Sequence, residues 1–271
     1  MFIVYDKNMN VKEFPQGLRP LDIFISSIEK NRQTDSIEGR NGIITRGQTD
    51  ARRTIELSVG LLSNDTQDYR LLRNKAYQFF SDDEFYVSEK YDKGKRYKVS
   101  VIESYLPDRL SKDVAQIQFM CSVVDLPYAE SIGTTQDIDQ NGIDSEDDLW
   151  GYGMGLIDEP LKYTHSTRTF SIYNAGNVPI HPFEQDLKIT IEGINADEFT
   201  LTNLTNGTEF KITESVSDNQ TIVLDGPNIT SNGLAFLRST NKQFIELEPG
   251  WNEFEVSTDA TISFGFRFYY K

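Results

Sequence analysis

With one cysteine, two histidines and two tryptophans among 271 residues, the sequence is poor in the side chains that carry most site chemistry. A lone Cys121 rules out an internal disulfide framework. It falls on the Ile117/Phe119/Cys121/Val123 face of an alternating stretch, so it reads as a small buried residue. His165, in LKYTHSTRTF, and His181, in VPIHPFE, lack a metal-ligand spacing such as HxxxH. No GxSxG turn raises a serine nucleophile, although a Ser-His-Asp set scattered along the chain stays open. GYGMG at 151–155 lacks the lysine and the following helix that a phosphate cradle requires. No apolar run reaches the roughly 18 residues of a membrane-spanning helix. The opening MFIVYDKNMN meets charge at Asp6 and Lys7, too early for the apolar core of a signal peptide. Without secretion, the Asn-x-Ser/Thr triplets at Asn64, Asn203, Asn206, Asn219 and Asn228 are accidents of an Asn/Thr-rich β sequence.

What is abundant is acid, and it is unevenly placed. The net charge is −15. Residues 1–130 hold 19 Lys+Arg against 20 Asp+Glu, and residues 131–271 hold 8 against 22. So acidic a second half repels phosphate backbones, which argues against nucleic-acid binding, and the asymmetry suggests two domains. Phe (17) and Tyr (13) far outnumber Met (4), as β-sheet cores prefer.

The alternation predicts strands in the first half. Ile55, Leu57 and Val59 share one face of RRTIELSVGLL; Tyr97, Val99 and Val101 share one of RYKVSVIE; AQIQFMCSVV behaves alike. Between the first two, Tyr69, Leu72, Ala76 and Phe79/Phe80 recur at helical spacing, with Ser63 or Asn64 as N-cap. This helix over 64–80 is the one the chain announces. Residues 29–53 are polar, arginine-rich and without a clear period, and Asn41-Gly42 fits a hairpin tip. A long exposed loop or extended hairpin is expected, serving protein–protein contact. The second half reads as short antiparallel strands. Its turns are Asn206-Gly207, DGPN (225–228), SNGL (231–234) and EPGW (248–251), and it ends in a strand with Ile262, Phe264, Phe266, Phe268 and Tyr270 on one face.

The stretch DIDQNGIDSEDD, 137–148, begins like a calcium loop: Asp137, Asp139 and Asn141 at the first, third and fifth positions, then Gly142. Asp144 then stands where an apolar residue belongs, and Asp148 where a longer glutamate would chelate. The flanks SIGTTQ and WGYGMGL are poor helix formers, so the stretch reads as a solvated acidic connector. Carboxylates are too plentiful to single out an acid/base pair of a glycoside hydrolase. Trp150, Tyr152 and Trp251 offer stacking surfaces for sugar rings, the basis for an alternative reading as a carbohydrate-binding β-sandwich. Trp251, however, starts an alternating strand after a Pro-Gly turn, where an edge-of-core role is expected. No catalytic, cofactor-binding or metal residue is assigned, and an enzyme is not expected.

The order of these elements has a family resemblance. VVDLPYAESIGTT followed by LWGYGMGL, then FSIYNAGNVPIHP, then L-x-PG-x-N near the end resembles the distal tail protein (Dit) family of siphophages and related prophages of Gram-positive bacteria. The resemblance implies a mainly β chain: a β-sandwich-like ring-forming domain with one α-helix over 1–130, an acidic, glycine-rich connector over 131–159 and a galectin-like antiparallel β-sandwich over 160–271. It implies a virion protein at the distal end of the tail, made in the host cytoplasm, with no catalytic residues and no cofactor. Its partners would be copies of itself in a hexameric ring, the major tail tube protein, the tail-associated hub or lysin protein and, in some phages, receptor-binding proteins. Neither nucleic-acid binding nor membrane insertion is implied.

Overall fold

The computed structural model describes residues 1–39, 41–144, 148–157 and 159–271. They form two compact units, Met1–Ala129 with Lys271, and Glu130–Tyr270. Antiparallel strands dominate both.

The first unit contains strands β1 (Phe2–Tyr5), β2 (Leu18–Ile25), β3 (Lys30–Asp35), β4 (Ile44–Asp50), β5 (Thr54–Leu62), β6 (Phe85–Glu89), β7 (Lys95–Val101), β8 (Pro107–Arg109) and β9 (Val114–Val123). Helix α1 (Thr66–Phe79) joins β5 to β6. The main sheet runs β1-β6-β7-β9-β5-β2, with β8 added onto β9. It rolls until its end strands approach, and the Met1 ammonium lies 3.8 Å from the Asp22 carboxylate. The alternation seen in sequence fills the interior: Ile55, Leu57, Val59, Val99, Ile117 and Phe119 are all buried. Cys121 is buried among them, and loss of solvent pushes its thiol up to about 12.

α1 lays Tyr69, Leu72, Ala76 and Phe79 onto this core. Its cap differs from expectation. Asp65, not Ser63 or Asn64, accepts the Gln67 and Asp68 N–H groups at 2.8 Å each. Ser63 is already committed to the Asp113 carbonyl through both its N–H and its hydroxyl. Gly17, at φ +91°, lets the chain pass so close that an added Cβ would sit 2.8 Å from the Leu62 carbonyl oxygen.

The second unit begins within β10 (Ala129–Ser131) and continues with α2 (Thr135–Asn141), β11 (Thr164–His165), β12 (Thr169–Asn174), β13 (Leu187–Glu192), β14 (Phe199–Asn203) and β15 (Glu209–Ile212). Then come β16 (Ile222–Asp225), β17 (Asn228–Ser231), β18 (Leu234–Ala235), β19 (Gly250–Val256), β20 (Thr261–Phe266) and β21 (Tyr269–Tyr270). One sheet has the order β11-β20-β13-β16-β17-β18, the other β12-β19-β14-β15. They make a sandwich whose faces meet through aromatic rings. Phe264 of the first sheet lies 5.0 Å from Phe254 and 6.1 Å from Phe170 of the second.

Several local expectations change. Residues 131–159, expected as a connector, fall inside the second unit where described, and α1 is joined by a second helix, α2. At Asn206-Gly207 only Gly207 takes a positive φ, in a five-residue link from β14 to β15 that the Gly207 N–H closes onto the Asn203 carbonyl at 2.8 Å. The tight turn with two positive φ angles is instead at Asn232-Gly233, between β17 and β18. The last strand breaks after Phe266, and Tyr269 is buried beside Tyr270. Phe268 bonds there through its backbone to the Ser131 N–H and hydroxyl, which ends the regular ladder.

Candidate interaction arm

β2 and β5 pair within the rolled sheet, and the same ribbon continues outward as β3 and β4, which pair only with each other. Ser26 N–H to Thr54 O and Glu29 N–H to Arg52 O carry the ladder across the joint. The polar stretch over 29–53 is thus an extended hairpin with Asn41-Gly42 in its turn, Gly42 at φ +95°. Every residue of β3 is exposed, and β4 is exposed apart from its two half-buried ends. No apolar face lies against a core, which is why no period shows in the sequence. Cross-strand polar pairs set the register instead: Lys30 with Asp50, Arg46 with Asp35, and Arg32 Nε donating to Gln48 Oε1 at 3.0 Å. At the outer end Ile37 and Ile43 are exposed, Ile43 by 72 %.

The base of the arm is clamped. Asp50 Oδ1 accepts from Lys30 across the hairpin, while Oδ2 accepts from the Tyr128 hydroxyl at 2.9 Å and lies 3.5 Å from Lys271 Nζ. The Lys30 hydrogen bond holds its carboxyl below the ordinary 3.8, outweighing the opposing effect of burial. Beside it Arg53 is buried, with Nε donating to the Ser26 carbonyl at 3.0 Å and its guanidinium 5.7 Å from the Tyr97 ring centre. Asp50, Arg53 and Tyr128 gave no signal in sequence, because their partners are remote along the chain.

The residues weighed for chemistry lie apart. His165 stacks on Phe170 with centroids 4.8 Å apart, and its Nε2 is 3.0 Å from the Lys162 carbonyl oxygen. His181 Nδ1 accepts from the Phe183 N–H at 3.2 Å, and Nε2 lies 3.3 Å from Glu246. Asp137 and Asp139 lie on α2, each with protein hydrogen-bond partners. Asp137 Oδ2 accepts from the Thr134 N–H and hydroxyl at 2.7 Å each, in a capping box that starts α2. Asp139 accepts from the Tyr163 N–H and the Thr164 hydroxyl, also at 2.7 Å. The remaining positions Ser145, Glu146 and Asp147 lie outside the described residues. Among the described residues no three His, Cys, Asp or Glu side chains are grouped to hold a metal ion. Trp150 is 3 % exposed and packs under Gly133, whereas Tyr152 and Trp251 face solvent. Trp251, for which an edge-of-core place was expected, is 44 % exposed and lies against Tyr173.

Comparison with known proteins falls on the same two units. Residues 11–121 match the family described as phage tail protein RIFT-related domain, and residues 150–266 match the phage tail C-terminal domain family. The crystal structure of the SPP1 Dit protein superposes over 99 % of both chains with a TM-score of 0.71 at 12 % identity. That protein is described as a paradigm of the hub adsorption apparatus in phages infecting Gram-positive bacteria. The chain is a phage tail protein with the fold of the SPP1 Dit protein. The phage p2 baseplate structures, with strontium and with calcium, align over 98 % of this chain and 97 % of theirs at 10 % identity and a TM-score of 0.44. No curated protein sequence matches it.

Proposed function

We propose that this phage tail protein is a structural hub of the tail tip, as a member of the Dit family. First units close into a hexameric ring that continues the tail tube, and the second units project from it. On one face the ring meets the tail tube protein and on the other the tail-associated hub or lysin protein; in some phages the outer units hold receptor-binding proteins. The observation that supports this is the arm. A two-stranded ribbon with water on both faces is marginal by itself, so its natural state is docked on a neighbouring copy or on the tube. The nearly balanced charge of residues 1–130 allows such copies to pack without large repulsion, while the acidic second halves favour separation. The work is adhesion between shaped surfaces, with no bond made or broken, and DNA passes through the ring without binding.

Light scattering of the full chain, alone and mixed with the tail tube protein, tests the reading. A closed ring of about six protomers is expected in at least one of the two samples. Replacing residues 33–45 by a short turn should shift that particle toward protomers. A chain that stays monomeric at high concentration in both samples, hydrolyses a saccharide, or forms a tight salt-sensitive DNA complex overturns it.

A further inference from the structure

The second unit carries an aromatic pair, exposed Trp251 and half-buried Tyr173, on an otherwise polar sheet face. Along β19, Asn252, Phe254 and Val256 are buried and alternate with Trp251, Glu253 and Glu255, which face solvent. Trp251 is 44 % exposed, and its ring centre lies 5.0 Å from that of Tyr173 on β12, tilted by 54°. On the neighbouring rung Ser171 stands opposite Glu253. Beyond it Leu204, also exposed, donates its N–H to the Glu253 carbonyl at 2.7 Å.

This ledge is held rigid from below. Asn252 is fully buried, and its Oδ1 accepts from the Glu248 N–H at 2.8 Å and from Asn203 Nδ2 at 3.1 Å. Its Nδ2 donates to the carbonyls of Glu248 at 2.8 Å and Gly250 at 3.1 Å. These four bonds fix the backbone on both sides of Trp251. Tyr173 is anchored as well: its hydroxyl donates to the Gly155 carbonyl at 3.0 Å, and its own carbonyl accepts from the Tyr163 hydroxyl at 2.8 Å. A ledge already ordered by the fold spares a ligand the entropy of ordering it.

Its chemistry selects an occupant. An indole and a phenol ring offer an apolar shelf for the C–H face of a pyranose, and Glu253 and Ser171 lie at the height of its hydroxyls. Glu255 and Glu209, both opposite Thr202 in the ladder, extend the face with more acceptors. With 22 acidic against 8 basic residues over 131–271, phosphorylated or carboxylated sugars are repelled, whereas the hydroxyls of a neutral polyol are suitable donors to the carboxylates of this face. We infer that the face around Trp251 and Tyr173 binds a neutral oligosaccharide. This goes beyond the hub role and does not depend on ring closure.

Tryptophan emission reads the site directly, because the other tryptophan, Trp150, is buried. The full chain is titrated with lactose, maltotriose and triacetylchitotriose, and with glucose 1-phosphate as the anionic comparison. A saturable emission change and protection from acrylamide quenching are expected with at least one neutral sugar, at concentrations up to the order of 10 mM. By calorimetry Trp251→Ala and Tyr173→Ala should each weaken that sugar at least about tenfold, with Glu253→Gln intermediate. Melting temperature should stay unchanged in Glu253→Gln and change little in Trp251→Ala. Tyr173→Phe should keep the sugar affinity, and particle mass should stay unchanged in every variant. A flat response to all the neutral sugars, undiminished binding by Trp251→Ala, or equal binding of glucose 1-phosphate overturns the site. Mass measured alongside keeps that failure separate from any failure of the hub reading.

Discussion

Asp50 shows how much of the arm rests on one side chain. It is the point where the opposite strand, through Lys30, and the body of the unit, through Tyr128 and Lys271, meet a single carboxylate. Replacing it with alanine removes the acceptor that ties the hairpin to the body and should loosen the hairpin by about 1–3 kcal/mol, seen as faster amide exchange across β3 and β4. Its carboxyl titrates below 3.8 when folded, so its contribution is complete above that pH and is lost as pH falls through the lower folded value. Carboxyl-detected NMR should find that midpoint below 3.8, and Lys30→Ala should move it back up. Gly155 is a second single-residue case. At φ +73°, with a Cβ position 2.4 Å from the Ala175 carbonyl oxygen, Gly155→Ala should cost about 2 kcal/mol or more and lower the melting temperature.

α2 explains why the acidic stretch misleads. Read as a string, Asp137, Asp139 and Asn141 have calcium-loop spacing; folded, they lie on one short helix whose first carboxylate serves its own cap. Asp137→Ala should therefore lower stability by about 1 kcal/mol in the absence of calcium, checked by thermal melts with and without chelator. The same helix protects a strand edge. β11 covers only the start of β20, and farther along Thr135 takes its place: its hydroxyl donates to the Phe264 carbonyl at 2.7 Å and accepts from the Phe266 N–H at 3.0 Å. Thr135→Val keeps the shape but leaves the Phe266 N–H without its acceptor, while the Phe264 carbonyl keeps the Gln136 Nε2 donor at 2.9 Å, and should cost roughly 1–3 kcal/mol in a urea melt. The alternating strands and α1 were legible because one face of each meets a core. α2 was not, since seven residues of helix leave no period to read; the arm was legible as an exposed loop or extended hairpin tipped by Asn41-Gly42, but a ribbon wet on both faces has no period to choose between the two.

Across the molecule the charge asymmetry makes a prediction about assembly. Six copies of the hub would gather six strongly acidic second halves around a nearly neutral ring, so screening should favour closure. Raising salt from about 0.05 to 0.5 M should shift the mass distribution toward the ring, because the Debye length falls from above to well below about 10 Å. Dissociation by salt would instead show that ion pairs, such as those an arginine-rich arm can make, dominate the contact.

Composition and alternation determined by themselves that this chain is a mainly β protein in two parts, balanced in charge in one and acidic in the other. The family resemblance came instead from particular stretches in order, VVDLPYAESIGTT with LWGYGMGL, then FSIYNAGNVPIHP, then L-x-PG-x-N; the strands were readable because burial of one strand face imposes a period and turns demand particular residues. Only the tertiary structure decided that the polar stretch stands free as an arm, that Asp50 clamps it, that Asp137 caps a helix and that Trp251 faces water beside Tyr173. Each of these depends on which remote strand lies alongside, and hydrogen bonds or ring contacts between residues far apart in sequence leave no local pattern.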